Sequence, residues 1–391
     1  MLKYQIYEWL HHSKLYSHPT ITFREFQKHI LPQNQYNFQK ISQTFATNEQ
    51  DVPPSEIITL INSFKDIYKN KIGTSIAFLI PSPQKSPGGY SLIKNITEAL
   101  NHIGVCAIYI PINQEVNIKL NEYKPKILFA FDFDDVVQMI DWNILKINNT
   151  KIGIAAYIDE YKYVSALKQR QKYTDSIGID YYYSFKDITY IHQHKGYEPI
   201  ISKKLPIISF PFGANPLHYY PLERPKIKDF IFIGSTNRDK WERYQKWFAP
   251  IYCHWANGVL YGPNWDFCTD FEFNAQIERN AYAGTKVGLN LHLENQISYA
   301  SELNERTYQL ALCKIPQLMD NPMLLKYHYP GGGVYSAKNE EEYTQILRHI
   351  LTNENECIMN AEIAYNHTLN HHTSMHRAVQ LIKDLQYHKI I

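Results

Sequence analysis

Short apolar segments alternate with amphipathic stretches along most of the chain. The apolar segments have the length of buried β-strands, and the stretches between them have helical spacing. The predicted strands of the first half are 75–81, 105–110, 127–131, 151–157, 179–183 and 205–210. Those of the second half are 229–235, 258–262, 286–292, 315–320 and 333–337. Because the strands are almost continuously apolar, the pattern predicts parallel α/β sheets covered by helices on both faces.

A proline-rich stretch, "PFGANPLHYYPLERPKIKD", separates the two runs of strands. We therefore predict two doubly wound, Rossmann-like domains that face each other across a cleft, with ligands beyond the carboxyl ends of the strands. The predicted boundaries are an N-terminal extension over 1–70, a first domain over 71–215, a linker over 216–228, a second domain over 229–370, and a helix over 371–391 that crosses back to the first domain.

Composition and charge exclude several classes of protein. The 391 residues include 40 basic and 38 acidic side chains, and no basic run suited to a nucleic acid backbone occurs. Five cysteines without a CxxC pair favour reduced thiols in a cytoplasmic protein. No apolar segment predicts a transmembrane helix or a secretory signal, so any membrane contact would be peripheral. The oligomeric state stays open.

Glycines follow the first predicted strand. Gly88 and Gly89 in "PGGY" come directly before a helix, where a ligand could approach the backbone and the free N–H groups of the helix start. We predict an acceptor-side loop here, and the alternative is an ordinary turn between a strand and a helix.

The corresponding place in the second half carries two cations. Arg238 and Lys240 in "GSTNRDKWERY" lie shortly after strand 229–235, where they could neutralise a diphosphate and stabilise it as a leaving group. The alternative is a solvated start of a helix. Gly262 follows the next strand in "GVLYGPNW" and predicts a second loop on the ligand side.

The stretch "SELNERTYQLALCK" (301–314) predicts a helix with two stripes. The apolar stripe faces a core and consists of Leu303, Thr307, Leu310 and Ala311. Glu302, Arg306 and Gln309 form a polar stripe at i, i+4 and i+7. Arg306 could bind a phosphate while the other two hydrogen-bond sugar or ribose hydroxyls. The alternative is a solvated face.

These segments carry a family resemblance. "FIFIGS", "GVLYGPNW" and "GTKVGLNLHLEN…SELNERTYQLALCKIPQLMDN" resemble the donor-binding half of GT-B glycosyltransferases, in particular the group-1-type family related to the spore maturation protein CgeB. Asn304, Arg306, Thr307 and Tyr308 match that family's Asn-x-Arg-(Thr/Val)-(Phe/Tyr)-Glu motif. The match covers about 228–385 and is weaker over 72–215.

The resemblance implies a glycosyltransferase that moves a sugar from a nucleotide diphosphate to a glycan or surface-polymer acceptor, as in polysaccharide biosynthesis. It implies retention of configuration, no metal and no cofactor beyond the donor. The implied donor-binding residues are Arg238, Lys240, Gly262, His292, Glu302, Asn304, Arg306, Thr307 and Gln309. Two positions depart from the family: Gln309 replaces the glutamate that typically holds the ribose, and Cys313-Lys314 replaces Cys-Gly.

Other interpretations remain. Asp132-x-Asp134 in "FDFDD" resembles the metal-binding motif of GT-A enzymes, although the two-domain strand count argues against that class. Histidines such as His192 and His371 lack the spacing of a zinc site. A non-catalytic binding protein of the same fold and a sugar-nucleotide epimerase are the alternative functions.

Overall fold

The computed structural model describes residues 31–45, 51–83, 85–131, 134–156, 174–235, 238–248, 250–251, 257–262 and 274–391. The chain divides into two compact units. The N-terminal sheet unit contains Ile58–Pro216, Ser298–Glu305 and His371–Ile391. The C-terminal sheet unit contains the described residues up to Ile57, together with Leu217–Ile297 and Arg306–Asn370.

Among the residues that the structure describes, two helices precede the first sheet, namely α1 (Leu31–Phe45) and α2 (Ser55–Phe64). The polar composition of residues 1–70 predicts neither. Helix α1 buries Phe38, Ile41 and Phe45, which lie three and four residues apart and therefore share one side of the helix.

Six parallel strands form the sheet of the N-terminal sheet unit, in the order β2-β1-β3-β4-β5-β6. They are β1 (Ser75–Ile80), β2 (Cys106–Pro111), β3 (Ile127–Ala130), β4 (Lys151–Ala155), β5 (Tyr181–Ser184) and β6 (Ile207–Ser209). The helices described between them are α3 (Pro87–His102), α4 (Val116–Tyr123), α5 (Asp134–Met139), α6 (Trp142–Ile147), α7 (Ile188–Gln193) and α8 (Glu198–Ile201).

Aromatic side chains fill the core of this sheet. The Phe129 ring stacks on Phe78 and meets Tyr181, Tyr183 and Phe210 edge to face, with ring centroids 4.6 to 5.7 Å apart. Such pairs stabilise a core beyond the area that they bury. Gly153 in β4 provides the space that the Tyr181 ring occupies.

Five parallel strands form the sheet of the C-terminal sheet unit, in the order β11-β10-β9-β7-β8. They are β7 (Lys228–Ile233), β8 (Gly258–Tyr261), β9 (Thr285–Asn290), β10 (Gln317–Asp320) and β11 (Tyr335–Ala337). The helices that follow in the chain are α9 (Arg238–Phe248), α10 (Ala275–Ala283), α11 (Glu294–Ser298), α12 (Glu305–Leu312), α13 (Leu325–His328), α14 (Glu340–Thr352), α15 (Glu354–His371) and α16 (Ser374–Tyr387). Helix α16 packs against α3 and β6 in the N-terminal sheet unit.

All eleven predicted strands are present, with ends shifted by one or two residues where the structure describes them. The helix predicted over 301–314 is shorter and covers only Glu305–Leu312. The backbone carbonyl of Ser301 accepts a hydrogen bond from the Asp187 N–H at 2.7 Å, so the residues before Glu305 follow a tertiary contact and do not continue the helix. Within the described residues, no helix is long and apolar enough to cross a membrane.

Candidate functional site

Arg306 lies at the carboxyl edge of the C-terminal sheet, at the start of α12. Its Nε donates to the carbonyl of Ile233, the last residue of β7, and its Nη1 donates to Asn290 Oδ1 at 2.9 Å. The guanidinium also lies 4.2 Å from the centroid of the Phe232 ring. These contacts fix the direction of a long side chain, which reduces the conformational entropy that ligand binding would cost.

A buried network of hydrogen-bonded polar side chains holds the Arg306 side chain in place. Asn290, at the end of β9, donates to Thr307 Oγ1 at 2.9 Å while its oxygen accepts from Arg306. The Thr307 hydroxyl lies 3.3 Å from His292 Nε2, and His292 Nδ1 lies 2.7 Å from Asp320 Oδ1. Because each member bonds the next, the network orders the ends of two neighbouring strands.

Arg243 completes this network from α9. Its Nη2 donates to Asp320 Oδ2 at 2.8 Å, and that oxygen also accepts the His292 backbone N–H. Burial alone would raise the pKa of Asp320, but His292 and Arg243 hold it below its ordinary value. Asp320 is therefore a buried carboxylate whose charge is compensated by neighbours other than Arg306.

Lys240 adds a second cation to the cluster. Its Nζ donates to Ser235 Oγ at 3.2 Å, directly after β7. Burial and the nearby Arg306 guanidinium lower the pKa of Lys240 from 10.5 to about 8. The two cations therefore repel each other, and an anion between them would relieve that repulsion. Arg238 is the first residue of α9, and its side chain lies outside the described residues.

Two glycines bring the backbone close to these cations. Gly262 has φ +143, and a Cβ there would lie 2.3 Å from the Gly234 carbonyl oxygen. A Cβ at Gly234 would lie 2.0 Å from Arg306 Nη2. Any side chain at either position would displace the neighbouring loop or the guanidinium, so both glycines are required by space.

Glu278 lies near the same cluster and was not predicted from the sequence. This residue is in the first turn of α10, and Tyr219 donates to its Oε2 at 2.7 Å. Burial raises the pKa of Glu278 to about 7, against opposing effects of the Tyr219 hydrogen bond and Arg306. An amphipathic helix with a glutamate in its first turn has the pattern of an ordinary solvated helix, so no sequence signal identified this group.

The predicted polar stripe is not one helix face. Glu302 precedes α12 and forms an ion pair with Lys186 at 3.1 Å, and both side chains are largely buried. Glu302 and Asn304 belong to the N-terminal sheet unit, whereas Arg306 belongs to the C-terminal one. Gln309 lies one turn after Arg306 and is buried, so the alternative of a solvated face does not hold at that position. The residues of the apolar stripe are buried, as predicted.

The structure brings together five of the predicted donor-binding residues: Lys240, Gly262, His292, Arg306 and Thr307. Thr307 and His292 are buried, and they hydrogen-bond Asn290 and Asp320, respectively. In the N-terminal sheet unit, Gly88 and Gly89 lie in the first turn of α3, which begins at Pro87. A Cβ at Gly89 would lie 2.7 Å from Ser86 Oγ, so this turn is tightly packed.

The described residues contain no group of three or more His, Cys, Asp or Glu side chains arranged to hold a metal ion. Asp132, one of the two residues of the alternative metal motif, lies outside the described residues, as does the side chain of Asp134.

Comparison with known proteins supports part of this picture. Residues 239–383 match a family model described as "Glycosyl transferase-like". No curated protein sequence matches the chain.

Solved structures match over most of the chain. An alpha-glucosyltransferase in complex with UDP-glucose and DNA containing an abasic site has a TM-score of 0.56 at 11% identity, covering 81% of this chain and 99% of that one. Sucrose-phosphate synthase from Thermosynechococcus elongatus has a TM-score of 0.53 at 10% identity, covering 80% and 98%. An Anabaena protein in complex with UDP-glucose has a TM-score of 0.52 at 8% identity, covering 80% and 100%.

These matches confirm the predicted fold class. The chain has the GT-B fold, with two parallel-sheet α/β units. It contains a glycosyl transferase-like region over 239–383, which includes Lys240, Arg306 and the ends of β9 and β10.

Proposed function

We propose that the protein is a glycosyltransferase that transfers a sugar from a nucleotide diphosphate donor to an acceptor. The observation that carries this proposal is the pair of cations Arg306 and Lys240 at the carboxyl edge of the C-terminal sheet. Parallel α/β sheets bind ligands at this edge. Two fixed cations suit a diphosphate better than a neutral sugar.

The chemistry follows from the charge that develops during transfer. When the bond between the anomeric carbon and the diphosphate breaks, negative charge accumulates on the leaving phosphate oxygen. Arg306 and Lys240 would stabilise that charge without first reorienting, because Arg306 is held by Ile233 and Asn290. The glycosyl transferase-like region and the UDP-glucose named for two structural relatives support this assignment.

The finer features rest on the sequence resemblance. We propose that transfer is retaining and metal-independent, that the acceptor is a glycan or other surface polymer, and that the protein acts in the cytoplasm in polysaccharide biosynthesis. We place it near the CgeB-related group. Arg238, Asn304 and Gln309 remain predicted donor-side residues, as do Gly88 and Gly89 on the acceptor side.

A panel of nucleotide sugars tests this proposal. The protein is incubated with UDP- and GDP-sugars, alone and with oligosaccharide acceptors or duplex DNA, and release of nucleotide diphosphate and the identity of the sugar are measured. The proposal predicts release that increases with a glycan acceptor and is lost in Arg306→Ala. Binding without turnover would favour the non-catalytic protein, and a changed sugar still attached to its nucleotide would favour the epimerase. Transfer to DNA would contradict the proposed acceptor.

A further inference from the structure

Helix α1 covers β8, which is the edge strand of the C-terminal sheet. The Phe38 ring stacks on the Tyr261 ring with centroids 3.5 Å apart and planes 7° from parallel. Asn37 donates to the Gly258 carbonyl at 2.8 Å and accepts from Lys228 Nζ at 2.8 Å. An edge strand with unpaired backbone groups is free to move or to pair with another chain, and α1 restricts β8 here.

Tyr261 connects α1 to the cation cluster. Its carbonyl accepts the Gly234 N–H at 2.8 Å, and the next residue, Gly262, contacts the Gly234 backbone. Gly234 in turn lies against the Arg306 guanidinium. A shift of Tyr261 would therefore reach Arg306 through two backbone contacts.

The other end of α1 contacts a different place. Ile41 and Phe45 pack over Gly284 at the end of α10, where a Cβ would lie 2.5 Å from the Phe45 ring. Phe45 also lies 5.8 Å from the Arg224 guanidinium, measured to the ring centroid. Phe45 is thus a buried aromatic residue of the same helix whose described contacts do not include β8, which makes it a matched control for Phe38.

We propose that α1 is part of the donor-binding unit and that Phe38 is a positioning residue for the diphosphate site. By stacking on Tyr261, Phe38 fixes the end of β8. The end of β8 positions Gly234, and Gly234 in turn keeps the Arg306 guanidinium in the orientation that binds phosphate. This inference rests on the proposed function, since it assigns the effect of Phe38 to nucleotide diphosphate binding. A ring that only stabilised the fold would not change affinity in the folded protein.

The test compares Phe38→Ala with Phe45→Ala in the full chain. We expect Phe38→Ala to weaken UDP or GDP binding about tenfold. Without the stacked ring, the end of β8 and the Arg306 side chain must become ordered when the ligand binds, and that entropy cost reduces the binding free energy. The KM for the donor should rise while kcat changes less. Phe45→Ala should lower the melting temperature comparably and leave affinity within about twofold. Phe38→Tyr should retain the affinity of the wild-type protein, because tyrosine keeps the stacked ring.

Hydrogen exchange provides a readout that does not need a ligand. In Phe38→Ala, exchange at the Gly234 amide should become faster, while Phe45→Ala leaves it unchanged. If Phe38→Ala does not fold, Phe38→Leu replaces it, since leucine keeps an apolar side chain but no flat ring. Equal effects of the two positions on affinity and exchange, or no effect of Phe38, would overturn the inference. If the wild-type protein binds neither UDP nor GDP, the proposed function fails, and the Gly234 exchange still tests the positioning role.

Discussion

At the scale of single residues, the candidate site is a balance of charges. Lys240 and Glu278, both close to Arg306, have pKa values moved toward neutrality, to about 8 and about 7. Burial is the main cause in both cases. The number of positive charges facing a phosphate therefore depends on pH within the physiological range.

This balance predicts the pH dependence of diphosphate binding. As the pH rises from 7 to 9, Glu278 becomes negative near Arg306 and Lys240 loses its proton, so both changes weaken the attraction for phosphate. We expect UDP or GDP affinity to fall roughly tenfold over this range. Calorimetric titrations should show that Lys240→Met removes the step near pH 8 and Glu278→Gln removes the step near pH 7. An affinity that rises or stays constant with pH would contradict this assignment.

The sequence predicts the two cations and, through the family resemblance, His292 and Thr307, but not the other residues that support them. Lys240 is predicted because it is a charged residue shortly after a strand, and Arg306 because it lies on a polar helix stripe and matches the motif of the family that the sequence resembles. Asp320 offered the same kind of signal at the end of β10, whereas Glu278 and Asn290 offered none, since their roles depend on contacts with Tyr219 and Thr307. A side chain's partners in another part of the chain are not encoded in its local pattern.

At the scale of elements, the α12 to β10 connection holds a lysine in a backbone conformation that favours glycine. Lys314, where the family usually has glycine, follows α12 with φ +58, in the left-handed region. Its N–H donates to the Ala311 carbonyl at 2.9 Å, as in the usual end of a helix. An ion pair between Lys314 and Glu362 offsets part of the strain of this backbone conformation.

This conformation predicts an inverted preference for glycine. Lys314→Gly and Lys314→Ala both remove the ion pair, but only glycine relieves the left-handed strain. We expect Lys314→Gly to be more stable than Lys314→Ala by about 1 kcal/mol in denaturant unfolding. At the exposed Lys383 within α16, the order should reverse, because alanine favours a helix interior by about 1 kcal/mol over glycine. The same order at both positions would show that the backbone at Lys314 is not left-handed.

Strands were predicted more accurately than the short helices. Each strand is a compact apolar segment, so its own sequence determines its place in the sheet. The predicted start of α12 was wrong. Ser301 and Glu302 contact residues more than a hundred positions earlier in the chain, and these contacts override the local helical pattern.

At the scale of the whole molecule, the polar N-terminal stretch was the least predictable part. Its described residues up to Ile57 belong to the C-terminal sheet unit, although Asn37 and Lys228 are 191 positions apart in the sequence. Asp51 forms ion pairs with Arg224 and Arg279, which belong to the same unit. Only the folded chain reveals these pairings.

The charge arrangement also predicts how the proposed sugar transfer responds to metal removal. If Arg306 and Lys240 neutralise the diphosphate, no divalent ion is needed to stabilise the leaving group. Sugar transfer should continue in EDTA, and Asp132→Asn should have a mild effect. Loss of activity in EDTA with recovery on adding Mn²⁺ would instead favour the metal motif at Asp132.

The most direct test of the central claim is the affinity of Arg306→Ala for a nucleotide diphosphate and for the matching nucleoside. Isothermal titration calorimetry would measure both for the wild-type protein and the variant, with melting temperatures to verify folding. If Arg306 binds the diphosphate, the variant should lose about 1.5–3 kcal/mol of diphosphate binding free energy, the usual value of a hydrogen bond to a charged group. Nucleoside binding should change little, since a nucleoside has no phosphate. Unchanged diphosphate affinity in a folded Arg306→Ala protein would contradict the proposed site.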